Sequence, residues 1–163
     1  MKRAVVLALL LAGCGEERAT TDTASAGARL EAAAVEAGLV PDPERVSIVG
    51  SWARDRDRIC VVPSKDGSQR IGVLLDYGEG NGCVATGTVR QAGDRLDIDL
   101  GVCAIEARFD GERIDFPAEL DGKCQRFCRG NATLAALAVE RVSNSAAEAA
   151  TLRTPSGKLL CGD

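Results

Sequence analysis

Two cysteines with three residues between them, in the run Cys124-Gln125-Arg126-Phe127-Cys128, are the sharpest local constellation in this chain. Three intervening residues is not the two-residue spacing of dithiol redox centres, and no strand-then-helix unit leads into the run. A soft metal held by such a pair needs histidine or methionine as further ligands. The chain has no histidine, and its one methionine is Met1. Zinc on four cysteines would leave two others over for a single bridge. Structural disulfides account best for the pair, with no metal and no cofactor expected. The missing histidine also removes the commonest general base and the usual pH switch.

Carboxylates come in two i, i+2 pairs, Asp55 with Asp57 and Asp97 with Asp99. A pair on one face of a strand does acid–base work when a pocket raises one pKa. Here the pairs alternate with arginines, or with leucine and isoleucine, which is the pattern of the solvated face of a half-buried strand. Asp76, Glu79 and Asn81 offer oxygens to a calcium ion, but the spacing lacks the complete loop pattern of a calcium hand, and a plain turn is favoured. Gly78, Gly80 and Gly82 are followed by neither a Lys-Ser/Thr pair nor a helix start, so they do not form a phosphate cradle. Ser51, Ser64 and Ser68 have no histidine to activate them. Asn131-Ala132-Thr133 matches a glycosylation acceptor. Trp52, the sole tryptophan, is the one aromatic large enough to anchor a ligand, although a lone Trp at the start of a β domain more often fills one end of the core.

The N-terminus supplies an address. Lys2 and Arg3 precede an uncharged run over residues 4–11, which is too short to span a membrane as a helix, for which about 20 residues are needed. Basic residues, an apolar stretch and then small residues form the layout of an export signal. The ending Leu11-Ala12-Gly13-Cys14 resembles the lipobox of bacterial lipoproteins. The resemblance implies cleavage before Cys14, a diacylglycerol thioether on its sulfur and acylation of the new amine, with palmitate-type chains holding the protein on the membrane. Gly15 after the cysteine, rather than Asp, is similar to the lipoprotein pattern for the outer membrane, facing the periplasm.

Removal of residues 1–13 leaves 150 of the 163 residues, enough for one domain with a real core. The mature chain has 18 basic against 24 acidic groups, a net charge near −6. Such a surface disfavours nucleic acid and anionic headgroups, so attachment depends on lipid. Consuming Cys14 makes the cysteine count even. Cys60, Cys83, Cys103, Cys124, Cys128 and Cys161 read as three disulfides in an oxidising compartment, and six cysteines allow fifteen pairings among which sequence does not choose.

Elements must then position these residues. Residues 15–24 are polar and aperiodic and read as a tether reaching roughly 17 Å. Residues 25–37 show helical spacing behind Ser25, with Gly38 as C-terminal cap and Pro41 and Pro43 beyond. A helix laid across one end of the domain is favoured over one that binds a partner. Residues 25–44 are therefore a helix and connection, and 45–163 a disulfide-rich β domain. Within it, 46–49 and 58–62 read as short β runs joined through Gly50-Ser51-Trp52, and 70–77 as a buried strand.

Two hairpins can be registered. A three-residue turn Gln91-Ala92-Gly93 would oppose Thr88 to Leu96, Thr86 to Ile98 and Val84 to Leu100, with Asp97 and Asp99 on the other face. A two-residue turn Asp110-Gly111 would oppose Phe109 to Glu112, Ala107 to Ile114 and Ile105 to Phe116, with Glu106 and Arg108 diagonal to Arg113 and Asp115. Residues 132–142 lean to strand. Ser145-Ala146-Ala147-Glu148 has capping-box spacing and opens a short helix, and 158–161 reads as a last strand. The fold expected is mainly β, an antiparallel meander closed as a small barrel or sandwich, with an N-terminal helix, a short helix near the C-terminus and disulfide staples.

Gly50-Ser51-Trp52, with Cys60 after it, resembles the Gly-x-Trp opening of lipocalin-like barrels, and the bacterial periplasmic protease-inhibitor barrels have a similar early Trp then Cys. The resemblance covers residues 50–100 and rests on three residues; four further cysteines and the helix at Ser145 depart from it. Function is expected to be a non-enzymatic binding or structural module, including an inhibitor or envelope accessory protein. A small-ligand carrier with a barrel cavity comes second, with an envelope hydrolase using paired carboxylates third. The expected partners are the membrane, through lipid on Cys14, and an envelope protein or small ligand.

Overall fold

The computed structural model describes residues 25–39, 41–42, 45–65 and 67–162; the signal, Cys14 and the tether lie outside them. The chain divides into two compact units between residues 40 and 41. In the first, Ser25 Oγ accepts from the Ala28 amide and caps α1 (Ala26–Glu36). The helix ends with the Gly38 amide donating to Val35 and the Leu39 amide to Ala34, a Schellman termination.

The second unit is a closed eight-stranded antiparallel barrel. Its wall is β1 (Gly50–Arg54), β2 (Asp57–Pro63), β3 (Gln69–Gly78), β4 (Asn81–Ala92), β5 (Arg95–Asp99), β6 (Ala104–Phe109), β7 (Arg113–Asp115) and β9 (Ala138–Ser143). Each strand pairs with its neighbour, and β9 closes the ring against β1, with Trp52 opposite Arg141. A two-residue β8 (Cys128–Arg129) adds to the outer side of this order by pairing with Gly82 and Cys83 of β4. Alternation decides what faces inward: β6 reads exposed–buried throughout, and Ile105, Ala107 and Phe109 enter the core. They meet Trp52, Ile59, Val61, Ile71, Val73, Leu75, Ala85, Val89, Leu96, Ile98, Ile114 and Val139 in a single cluster.

Both hairpin registers differ from expectation. Gly93, with φ 65°, is the first of two turn residues rather than the last of three, so Gln91 opposes Leu96 and Val89 opposes Ile98. A glycine at positive φ in the first central position is the two-residue hairpin solution that matches strand twist. The three-residue offset is odd and reverses the face of β4 relative to β5, turning Val89 inward and Thr86 and Thr88 outward. Asp97 and Asp99 stay on the outer face as expected. In the second hairpin Phe109 opposes Ile114 and Arg108 opposes Asp115. Asp110 Oδ1 accepts from the Glu112 and Arg113 amides, which moves the turn one residue on. That offset is even, so the predicted faces survive.

Residues 46–49 precede β1 as irregular chain, β1 itself carries Gly50-Ser51-Trp52, and residues 132–137 form turns before β9 rather than strand. Ser145 caps α2 (Ala146–Ala149) through its bond from the Glu148 amide. The final strand expected over 158–161 is reduced to one bridge, Arg153 with Leu159.

The disulfides are Cys60–Cys161, Cys83–Cys128 and Cys103–Cys124. Cys124 and Cys128 therefore pair elsewhere and not with each other. The 116–137 insertion between β7 and β9 carries Phe116, Cys124, Ala132, Leu134 and Leu137 into the main core, and two of the bridges clamp it to β4 and to the β5–β6 turn. Outside the barrel, Cys60, Val62 and Leu74 form a second small core with Leu152, Ala149, Leu160 and Cys161. Gly72 faces this core: a Cβ there would collide with the Leu160 carbonyl oxygen, so the glycine lets the C-terminal tail lie flat on β3.

Candidate ligand cleft

Trp52 is fully buried. Its indole Nε1 donates to the Ile48 carbonyl at 3.1 Å, Phe109 meets it edge-on at 5.7 Å between centroids, and the Arg141 guanidinium lies 4.1 Å from its ring centroid. The space beside Trp52, where a ligand pocket was one expectation, is thus taken by the protein's own side chains. Arg141 donates to Gly111 O at 2.8 Å and to Ser47 O at 3.0 Å, and burial lowers its pKa. Gln91 adds a second clasp, accepting from the Ile48 amide at 3.2 Å and donating to Val46 O at 2.9 Å. Residues 46–49 are bound in this way across the end where the chain enters. The insertion covers the other end.

Asp97 and Asp99 line a concavity of about 1110 Å³ on the outer wall together with Glu106, and each is already engaged. Asp97 is held by Arg90 at 3.3 Å and Arg95 at 3.1 Å, while Asp99 accepts from the Gly101 amide at 2.7 Å. Asp57 has a raised pKa, chiefly because burial disfavours its charge, with Asp55 adding repulsion; a hydrogen bond from the Asp76 backbone opposes the rise. The folded state therefore holds this proton more tightly than the unfolded chain, and stability is lost as pH rises from 3.8 through the folded pKa. Asp57→Asn keeps an acceptor for Asp76 and removes the charge. Its melting temperature should exceed wild type at pH 7, with the difference gone at pH 3; an unchanged or lower value at pH 7 would contradict this.

Among the described residues, no group of three or more His, Cys, Asp or Glu side chains is placed to hold a metal ion. Asp76 Oδ1 instead accepts from the Gly78 amide at 3.0 Å, closing the turn that leads to Glu79 and Asn81.

A concave site does form on the outer wall at the insertion end. Three segments meet there: the β3–β4 hairpin, the β8 segment and the 154–158 turn of the C-terminal tail. The volume is about 570 Å³, within the range of ligand sites. Leu74, Val84 and Phe127 give it apolar surface beside the Cys83–Cys128 bridge, and Arg126, Arg129 and Lys158 line it with positive charge. These three cations are exposed, and among the described residues none forms an ion pair. The one carboxylate in the lining is Asp76.

Comparison with protein-family models, with curated proteins and with solved structures gives no significant match to this chain. The cleft escapes sequence reasoning because its walls come from residues 74–84, 126–129 and 154–158. The local signal was the pair of arginines beside Cys128, read only for its cysteines. Arg141 gave none, since one arginine between Glu140 and Val142 looks like any surface strand position.

Proposed function

We propose that the chain is a lipid-anchored, non-enzymatic binding module of the bacterial cell envelope, at the outer membrane facing the periplasm, which engages a protein partner through its outer surface. An inhibitor of an envelope or secreted enzyme is one form of this reading. The observation that carries it is the filled barrel: Trp52, Ile59, Leu96, Phe109 and Ile114 are each at most 1% exposed, and both ends are sealed. A carrier needs an interior larger than its own side chains can fill. A hydrolase needs a carboxylate pair free to exchange protons in a cleft, whereas Asp97 and Asp99, although they line an outer concavity, are held by Arg90, Arg95 and the Gly101 amide. The Gly50-Ser51-Trp52 resemblance to lipocalin-like and protease-inhibitor barrels supports the same reading, and the disulfides suit an oxidising compartment.

Two experiments test it. Cys14→Ser should abolish labelled palmitate incorporation and move the protein from the membrane to the soluble fraction; continued membrane attachment would reject the anchor. Photo-crosslinking residues placed singly at Val84, Val102 and Asn144 in cells should give one reproducible adduct that depends on position. Absence of an adduct from every surface position would reject the binding module.

A further inference from the structure

We propose that the cleft bounded by Val84, Phe127, Arg126, Arg129 and Lys158 is the site at which the partner is held, and that it takes an extended acidic peptide segment whose carboxylates meet the three cations while an apolar side chain rests on Phe127 and Val84. This rests on the protein-binding reading and assigns its surface.

Charge is the first argument. The chain carries 24 acidic against 20 basic groups, and some of its cations lie beside carboxylates: Arg90 and Arg95 on Asp97, Arg113 on Asp115, Arg45 on Asp42. Arg126, Arg129 and Lys158 instead share one concavity whose single carboxylate, Asp76, is already engaged by the Gly78 amide. A local positive site on an acidic body attracts anionic groups. Guanidinium groups pair with carboxylates through two parallel hydrogen bonds, so two arginines three positions apart give direction as well as charge.

Rigidity is the second argument. Arg126 lies in the last turn of the 3₁₀ helix (Gly122–Phe127) that Asp121 caps, Arg129 lies in β8, and Cys128 between them is bonded to Cys83 on the adjoining strand. The Lys158 wall is fixed by the Thr154 amide bonded to the Lys158 carbonyl and, three residues on, by the Cys161 bridge. Such walls lose little freedom on binding. Exposed Val84, 40% accessible on an outer strand face, provides apolar contact beside half-buried Phe127. The third argument is position. Pro41 packs by Gly111 at the opposite end of the barrel, so Pro41 and residues 45–49 leave the cleft uncovered.

The test uses the full chain in detergent and a fluorescein-labelled Glu-Leu-Glu-Leu-Glu peptide followed by anisotropy, with Gln-Leu and Lys-Leu peptides as comparisons. Wild type should bind the glutamate peptide most tightly, with affinity falling as salt is raised. The triple charge reversal Arg126→Glu/Arg129→Glu/Lys158→Glu should weaken it about tenfold or more. Arg90→Glu/Arg95→Glu/Arg108→Glu, equal in net charge change but at the opposite end of the barrel wall, should retain most of it. Equal binding of the three peptides, or equal losses in the two triple variants, would overturn the proposal. So would decanoate binding in the cleft without peptide binding, which would assign it to a small amphiphilic anion. In cells, a crosslink from Asn144 with none from Val84 would overturn this site while leaving the protein-binding reading standing.

Discussion

Trp52→Ala should lower the stability of the β domain by about 3–5 kcal/mol, enough to remove a large share of what a domain of this size has. The reason is local. Trp52 is wholly buried where β1 meets β9, so it fills the core and closes the ring at the same residue. Arg141→Ala should cost about 1–3 kcal/mol from the carbonyls of Gly111 and Ser47 that lose their donor, and about 0.5–2 kcal/mol more from the contact with the indole face. Arg141→Lys keeps the charge but cannot reproduce the fork that reaches both carbonyls, so it should recover only part. The two single changes and their combination, measured by urea denaturation followed by circular dichroism, form a cycle. A coupling of at least about 0.5 kcal/mol is expected, because both residues act on one seal. Additive effects would show that Trp52 and Arg141 stabilise the barrel independently. In Arg141→Ala the sole tryptophan should also emit at longer wavelength as water reaches the ring.

What could be read from the chain and what could not differ in physical kind. The alternation of Leu96 with Asp97 and of Ile105 with Glu106 is a local property of pleated strands, and it reveals the inward faces of β5 and β6 directly. Turn residues mark the right places but predict the wrong count at Gly93, because the same glycine serves a two-residue and a three-residue hairpin, and only the cross-strand packing of Val89 on Ile98 separates them. Residues 132–137 are apolar because the insertion plugs the barrel end, a tertiary reason that leaves no period of two. The even cysteine count was visible, whereas pairing depended on the insertion folding back so that Cys128 lies opposite Cys83. The cleft depends on the same event. Its cations come from two segments roughly thirty residues apart and become a site only when the insertion and the tail are both fastened to the wall.

That dependence makes the tail the place for the second large effect. Cys60→Ala/Cys161→Ala opens a bridge between residues 101 positions apart, for which the chain-entropy account gives about 4.7 kcal/mol at a loop of 100 residues. Cys103→Ala/Cys124→Ala opens a separation of only 21, for which the same relation gives about 3 kcal/mol. The longer bridge should therefore lower the melting temperature more. Alanine is the better replacement, because both cysteines are buried in the outer core with Leu160 and Ala149 and a hydroxyl there would need a partner. The consequences should also be local. Without the bridge, residues 153–162 are held mainly by Leu160, whose amide donates to Leu152 O at 2.7 Å, and the tail should become the first site of proteolysis while the barrel still gives its β circular dichroism. Lys158 leaves the cleft with the tail, so binding of the Glu-Leu-Glu-Leu-Glu peptide should fall in Cys60→Ala/Cys161→Ala more than in Lys158→Ala. Peptide affinity unchanged after tail cleavage would mean that Arg126 and Arg129 hold the ligand without the tail, and the site would then be confined to the insertion.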